Sequence, residues 1–289
     1  ATWPVGQVLT TTHLTAGVVS PAEEDAVRLQ ALDAAYGRLA PMLGLHPVEP
    51  AQVTVYPDRQ TLAWLAGTSD AAGNVQIPAT HLAFTTSMTE TAVSLVLHEM
   101  GLPDGQGDWL REGLRAWVEL GGPQIDSEPQ VLAWTAALTN PVAAADLLAG
   151  AADAAASPSA TWSLAREFMR AYGPDGLARF CATWGRTGSQ QEAFAALGTS
   201  PDAFASAWED TVLQPLMAAR QGVQETLAQR QQAVLALDRE QFLATVDDAD
   251  PVFRLEEERW IDGLTQPPAR YQLSGQVLGL DANGDALAR

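Results

Sequence analysis

The pair His98-Glu99, within Leu95-Val96-Leu97-His98-Glu99-Met100-Gly101-Leu102, carries the clearest chemistry in this sequence. A helix bearing His-Glu-x-x-His sets two imidazoles on one face, where they bind zinc while the intervening carboxylate activates a metal-bound water. Here the first imidazole (His98) and the carboxylate (Glu99) are in place, but the second imidazole position holds Leu102. Leucine offers a metal no donor. Pro103 biases the residue before it away from helical geometry, so the helix is expected to stop where the second ligand is needed. Asp104 and Asp108, in the loop beyond it, are carboxylates able to stand in as substitute ligands.

Other chemistries find less support. The single cysteine, Cys181, excludes an internal disulfide and a cysteine-cage metal site, and reads as a small buried hydrophobe. All 16 basic residues are Arg, so Schiff-base and phosphate-loop lysines are excluded. There is no Gly-x-Ser-x-Gly elbow for a serine nucleophile. His13, His46 and His81 lie far apart, each beside a strand or turn, and read as surface or capped histidines. Asp281-Ala282-Asn283-Gly284-Asp285 alternates oxygens like a calcium loop, but Ala286 stands where that loop needs glycine, so a hairpin turn is expected. Trp162, Phe168, Phe180, Trp184, Phe194, Phe204 and Trp208 fall at helical spacings expected of core packing.

The 289 residues suffice for one large domain or two, and 47% of them are apolar. A formal charge of −19 repels phosphate backbones and anionic lipids, which argues against nucleic-acid and membrane-surface roles. No apolar run is long enough to span a bilayer, and Ala1 to Gly6 lack the order of a signal peptide.

The elements that must position His98 come from periodicity. Val5 to Val19 reads as one or two strands. Ser20-Pro21-Ala22-Glu23 then opens a helix with a stripe of Leu32, Ala35, Tyr36 and Leu39, closed by Pro41 and Gly44. Ala51 to Tyr56 alternates as a half-buried strand, and Gly73 to Pro78 and His81 to Thr85 read as two more. Ser87-Met88-Thr89-Glu90 is a capping box before a helix carrying Val93, Val96, Leu97 and Met100. Asp108 is expected to cap the next helix, with Leu110, Leu114, Trp117 and Val118. Further helices are expected to start at Pro158, Pro174, Ser189, Ser200 and Asp250. Ala143 to Ala156 is small-sided and reads as a surface connection. The fold class is therefore α+β: a small N-terminal sheet packed on a helix, then a mainly helical domain, then a short helix-helix-strand tail.

The order of strand, long helix, Val-x-Val-Tyr-Pro-Asp strand, Leu-His-Glu helix and Trp109-Leu110-Arg111-Glu112-Gly113-Leu114 resembles the MA-like metallopeptidases of the gluzincin, thermolysin-like type. The likeness extends through Phe168 to Leu177 and Ala193 to Gly198, covering about residues 1–217. It implies that His98 is a zinc ligand, Glu99 the general base and Glu112 a further ligand, with Leu102 departing from the pattern. Three readings compete: an intact peptidase site, a zinc site completed by Asp104 or Asp108, and a peptidase-like fold without the chemistry. The third is expected, namely a non-catalytic, extracytoplasmic or secreted binding or scaffold module that takes no cofactor and engages a protein or peptide. Residues 1–220 form that domain, with a boundary near Arg220-Gln221-Gly222 where the chain turns Gln-rich. In residues 221–289, two helices and then a strand, Tyr271 to Leu280, resemble the opening of an NTF2-like module. This tail is expected to self-associate through the strand.

Overall fold

Inward alternation sets the sheet. Leu14, Ala16 and Val18 of β2 (Leu14–Val18) are buried, as are Ala51, Val53 and Val55 of β3 (Ala51–Tyr56). The two strands run parallel, Leu14 opposite Ala51 and Val18 opposite Val55. Outside them, β1 (Gln7–Thr10) pairs antiparallel with β2 and β6 (His81–Ala83) pairs parallel with β3, giving the order β1-β2-β3-β6. The computed structural model describes residues 6–19, 22–69, 75–83, 87–122, 143–247, 250–275, 277–280 and 286–288. The chain is α+β and divides into two units, Ala1–Ile125 with Asn140–Trp208, and Asp126–Thr139 with Glu209–Arg289. No helix among the described residues is long and apolar enough to cross a membrane.

In the first unit, helix α1 (Asp25–Leu43) buries Leu29, Leu32, Tyr36 and Leu39 along one stripe. It opens at Asp25, whose carboxylate accepts the Ala22 N–H at 2.7 Å; Ser20 and Pro21 of the expected cap lie outside the described residues. Pro41 stays inside the last turn, and Gly44 closes the helix at φ 91°. Asp33 on α1 holds the β1–β2 turn, accepting from Thr11 Oγ1 at 2.6 Å and the His13 amide at 2.7 Å, with His13 Nδ1 3.2 Å away. Burial alone would raise its pKa, but Thr11 and His13 together hold this carboxyl below its ordinary value.

Helix α2 (Arg59–Ala66) gives no clear periodic signal, because Pro57-Asp58 ahead of it has the composition of a simple turn. Asp58 instead caps the helix, accepting the Thr61 N–H at 2.7 Å. Strands β4 (Thr68–Ser69) and β5 (Val75–Gln76) form a separate short ladder. Gly73 and Thr85, at the ends of the two expected strands, lie outside the described residues. Helix α3 (Met88–Glu99) packs on α1 through Val93, Val96 and Leu97, and α4 (Asp108–Glu119) packs through Leu110, Gly113 and Leu114 on α6 (Pro158–Thr187). Asp108 proves to be the first helical residue. Gly107, at φ 70°, is the N-cap, with no side-chain bond.

Between them, α5 (Ala144–Leu148) corrects the surface-connection reading, since Ala144, Leu147, Leu148 and Ala154 are buried. The two starts expected at Pro158 and Pro174 both exist inside α6, separated by a break at Gly173 (φ 64°, ψ −174°). With α7 (Gln190–Ala195) and α8 (Pro201–Trp208), α6 builds an aromatic core. Trp109 packs on Phe168, Phe180 and Phe204, and Phe194 packs on the same three, edge-on or tilted, with centroids 4.9–6.4 Å apart. Trp208 Nε1 donates to Ser163 Oγ at 3.0 Å.

In the second unit a π-helical turn, Glu209–Leu213, leads into α9 (Gln214–Ala236). This helix runs unbroken through Arg220-Gln221-Gly222, so the Gln-rich shift there coincides with an exposed helix surface. Leu237 closes it at φ 55°, the one non-glycine among the described residues with positive φ. Helices α10 (Arg239–Leu243) and α11 (Pro251–Asp262) come next, and Ala233, Val234, Phe242, Leu243, Val246 and Ile261 form a small core. The spacing of Phe253, Trp260 and Leu264 suggests an apolar stripe for α11, but Phe253 and Trp260 are each 42% exposed, Leu264 lies beyond the helix end and packs partly buried on the small core, and Ile261 is the helix's buried residue. Tyr271 packs on Trp260 ahead of the strand, which begins only at Val277. Strand β7 (Val277–Leu280) pairs antiparallel with β8 (Ala286–Ala288), so it has a partner within the chain, while Asn283-Gly284, where a turn is expected, lies outside the described residues.

The packing of the first unit is open to measurement at two positions. A Cβ on Gly113 would sit 2.3 Å from the Thr161 carbonyl, so Gly113→Ala lowers stability by about 1–3 kcal/mol in urea denaturation. Asp33 has a lower pKa folded than unfolded, so its contribution is present above the ordinary value of 3.8 and fades as pH falls through the folded value. Asp33→Asn therefore costs about 1–3 kcal/mol at neutral pH, and the deficit shrinks in denaturation curves taken below about pH 4.

Candidate functional site

The apolar face of α3 fixes where His98 and Glu99 stand, and the glycine after the helix sets the course of the loop beyond them. Ser87 Oγ caps α3 at the Glu90 N–H, and the helix ends at Glu99. Gly101, at φ 96°, turns left-handed, its N–H donating to the His98 carbonyl at 2.8 Å, and the Leu102 N–H donates to the Leu97 carbonyl at 2.9 Å. This pair of bonds is a glycine C-cap, which brings the residue after the glycine against the last apolar turn of the helix. Leu102 fills that place and is 1% exposed, beside Gly107 and Trp184. The helix therefore stops just short of Leu102, and the side chain after its cap faces the core.

His98, on the last turn, lies with Nδ1 3.2 Å from Asp104 Oδ1. The same Asp104 oxygen accepts the Ala79 N–H at 3.2 Å, tying the loop to the segment before β6. His81, stacked on Tyr56 at 5.8 Å, has its pKa lowered by burial, an effect that the Asp104 charge opposes. Glu99 is exposed. Burial, with the Glu99 charge added, pushes the Tyr36 hydroxyl on α1 up to about 12.

Glu112 is engaged elsewhere. Arg115 donates to its Oε2 through Nε and a terminal nitrogen at 3.1 and 3.0 Å, and also reaches Glu119 at 2.8 Å. Arg111 closes the glycine-rich loop by donating to the carbonyls of Pro103 at 2.9 Å and Gln106 at 3.2 Å, and Trp184 Nε1 donates to Gln106 Oε1 at 2.7 Å. Burial lowers the Arg111 pKa against the charges of Asp104 and Asp108.

Of the sequence-derived candidates, His98 and Asp104 come together, whereas Glu112 and Asp108 line a cleft of about 1010 Å³ whose wall includes neither His98 nor Glu99. The cleft is walled by the outer face of α3, the Gly105–Gly107 loop, the start of α4 and the segment after α5. Burial raises the Asp108 pKa, Glu112 and Asp153 add to the rise, and Arg111 opposes it. Among the described residues no three His, Cys, Asp or Glu side chains stand close enough together to hold a metal ion. The donor set of a zinc hydrolase is thus not assembled by the residues described.

Among the wall residues absent from the sequence-derived candidates are Glu90, Ser94 and Asp153. Glu90 and Ser94 were findable, being polar residues four apart on a helical stripe that flanks Val93 and Leu97. Asp153 sits in an alanine-rich stretch that carries no periodic signal. Comparison of the chain with protein-family models, curated proteins and solved structures finds no match.

Restoring the missing imidazole does not restore a metal site. Leu102→His places a polar ring in the apolar slot of the cap, so it lowers stability by about 2–4 kcal/mol and shows no stoichiometric zinc in calorimetric titration. Tight zinc binding by this single variant would mean that residue 102 can be presented alongside His98.

Proposed function

We propose that this chain is a gluzincin-type, metallopeptidase-like protein that no longer hydrolyses peptides and instead binds a protein or peptide segment along the outer face of α3. The carrying observation is Leu102. At the position where the resemblance calls for the second zinc ligand, the chain has left the helix through Gly101 and buried an apolar side chain in the cap. Glu112, the third ligand by resemblance, is paired with Arg115 on its own helix. What supports binding is the cleft itself, large for a ligand pocket. It shares Glu90 and Ser94 with a second cavity of about 170 Å³ beside β6, so the two adjoin along one helix.

A second reading has one observation in its favour. His98 and Asp104 are two metal-competent side chains already 3.2 Å apart, which is where a zinc site with a substitute ligand would begin. Metal analysis of protein prepared without chelator separates the readings. The proposed function gives substoichiometric zinc and no cleavage of a generic peptide substrate, with His98→Ala and Asp104→Ala leaving peptide binding within about twofold. Stoichiometric zinc that both substitutions abolish would overturn it in favour of the altered metallopeptidase.

A further inference from the structure

The two adjoining cavities differ in chemistry, and that difference specifies a ligand. The smaller one is formed mainly by Leu62, Ile77, Pro78, Leu82 and Ala83, with Arg59 and His81 as its polar lining besides α3. The larger is walled by four carboxylates, Glu90, Asp108, Glu112 and Asp153, against one guanidinium, Arg111, whose bonds go to backbone carbonyls. Glu112 is partly neutralised by Arg115, which leaves Glu90, Asp108 and Asp153 as the carboxylates without an ion-pair partner among the described residues. Two donors on side chains of the larger cleft, Nε1 of Trp109 and Nε2 of Gln190, are buried without an acceptor among the described residues.

Resting on the binding function above, we propose that this groove selects an extended peptide segment in which an apolar side chain is followed within one or two positions by Arg or Lys. The apolar residue seats in the small cavity between α2, β6 and α3. The cation then lies past Glu90 and Ser94, among Glu90, Asp108 and Asp153. Charge complementarity chooses this occupant over others: nucleic acid and acidic peptides meet repulsion, and a neutral apolar peptide leaves the carboxylates unanswered.

The test is fluorescence anisotropy with the full chain and blocked, labelled peptides carrying Leu-Arg-Arg, Leu-Glu-Glu or Ala-Arg-Arg in one neutral frame. The Leu-Arg-Arg peptide binds at least about tenfold tighter than either of the others, and its affinity falls steeply with salt. The double substitution Glu90→Gln with Asp108→Asn removes most of the preference for Arg over Glu while retaining that for Leu over Ala. Ser94→Trp, which narrows the junction, weakens the Leu-Arg-Arg peptide about tenfold or more, with circular dichroism confirming the fold. Equal binding of the Arg and Glu peptides overturns the charge selection and leaves the binding function standing. No binding of any peptide, or full binding by Ser94→Trp, overturns both. Mass spectrometry of the peptides after incubation with zinc keeps the two claims apart: cleavage with the Leu-Arg-Arg preference sustains the selectivity and defeats the non-catalytic reading.

Discussion

Backbone meets backbone where α6 passes the end of α3 and the middle of α4, and the rest of the first unit is arranged around that approach. A Cβ on Gly185 would lie 2.0 Å from the Gly101 carbonyl, and one on Gly113 would lie 2.3 Å from the Thr161 carbonyl. Two glycines thus let α6 approach closely at two points, with Trp109, Phe168 and Phe180 packed nearby. Because α6 presses on Gly101, the loop after α3 has little latitude. It turns left-handed at once, drops Leu102 inward, and returns through Gly105 and Gly107, both at positive φ, to begin α4.

The polar groups of that loop are consequences of the same geometry. Arg111 reaches back from α4 to the carbonyls of Pro103 and Gln106, and Asp104 bridges His98 and the Ala79 amide. These bonds satisfy backbone groups that the glycine-rich turn would otherwise leave unpaired. They also commit the local polar residues to holding the loop, which leaves the open cleft to Glu90, Asp108 and Asp153. The Gly105–Gly107 loop itself forms part of the wall of that cleft.

Much of this frame was legible in the sequence because it is written in periodicity. The alternation of Ala51 to Tyr56, the capping box at Ser87 and the starts at Pro158 and Pro174 are local signals, and each has its element. The end of α3 was legible too, since Gly101 and Pro103 both oppose helix beyond it. Less was visible where tertiary contact decides. Helix α2 is short and capped by a residue that reads equally as a turn, and Trp260 fits an apolar stripe yet stacks at the surface on Phe242 and Tyr271. The site was less legible: the i,i+3 spacing of Glu112 and Arg115 was open to reading as an ion pair within α4, but whether the Glu112 side of α4 would be turned toward His98 depends on the rotation of α4 about its own axis, which no spacing within α4 determines.

The break at Gly173 bears on how the first unit comes together as the chain is made. Its far side carries Pro174, whose carbonyl would lie 2.6 Å from a Cβ on Gly44 at the end of α1, so the two helices meet by a backbone contact between distant stretches of sequence. The partners of Trp109 in the aromatic core, Phe168, Phe180 and Phe204, all lie downstream as well. During synthesis from the N-terminus, the sheet with α1 and α3 therefore emerges before most of the surface that covers α4 exists. Until the chain has passed Trp208, the apolar side of α4 has only nascent protein or a chaperone to shield it. The helices that come last complete the part that comes first.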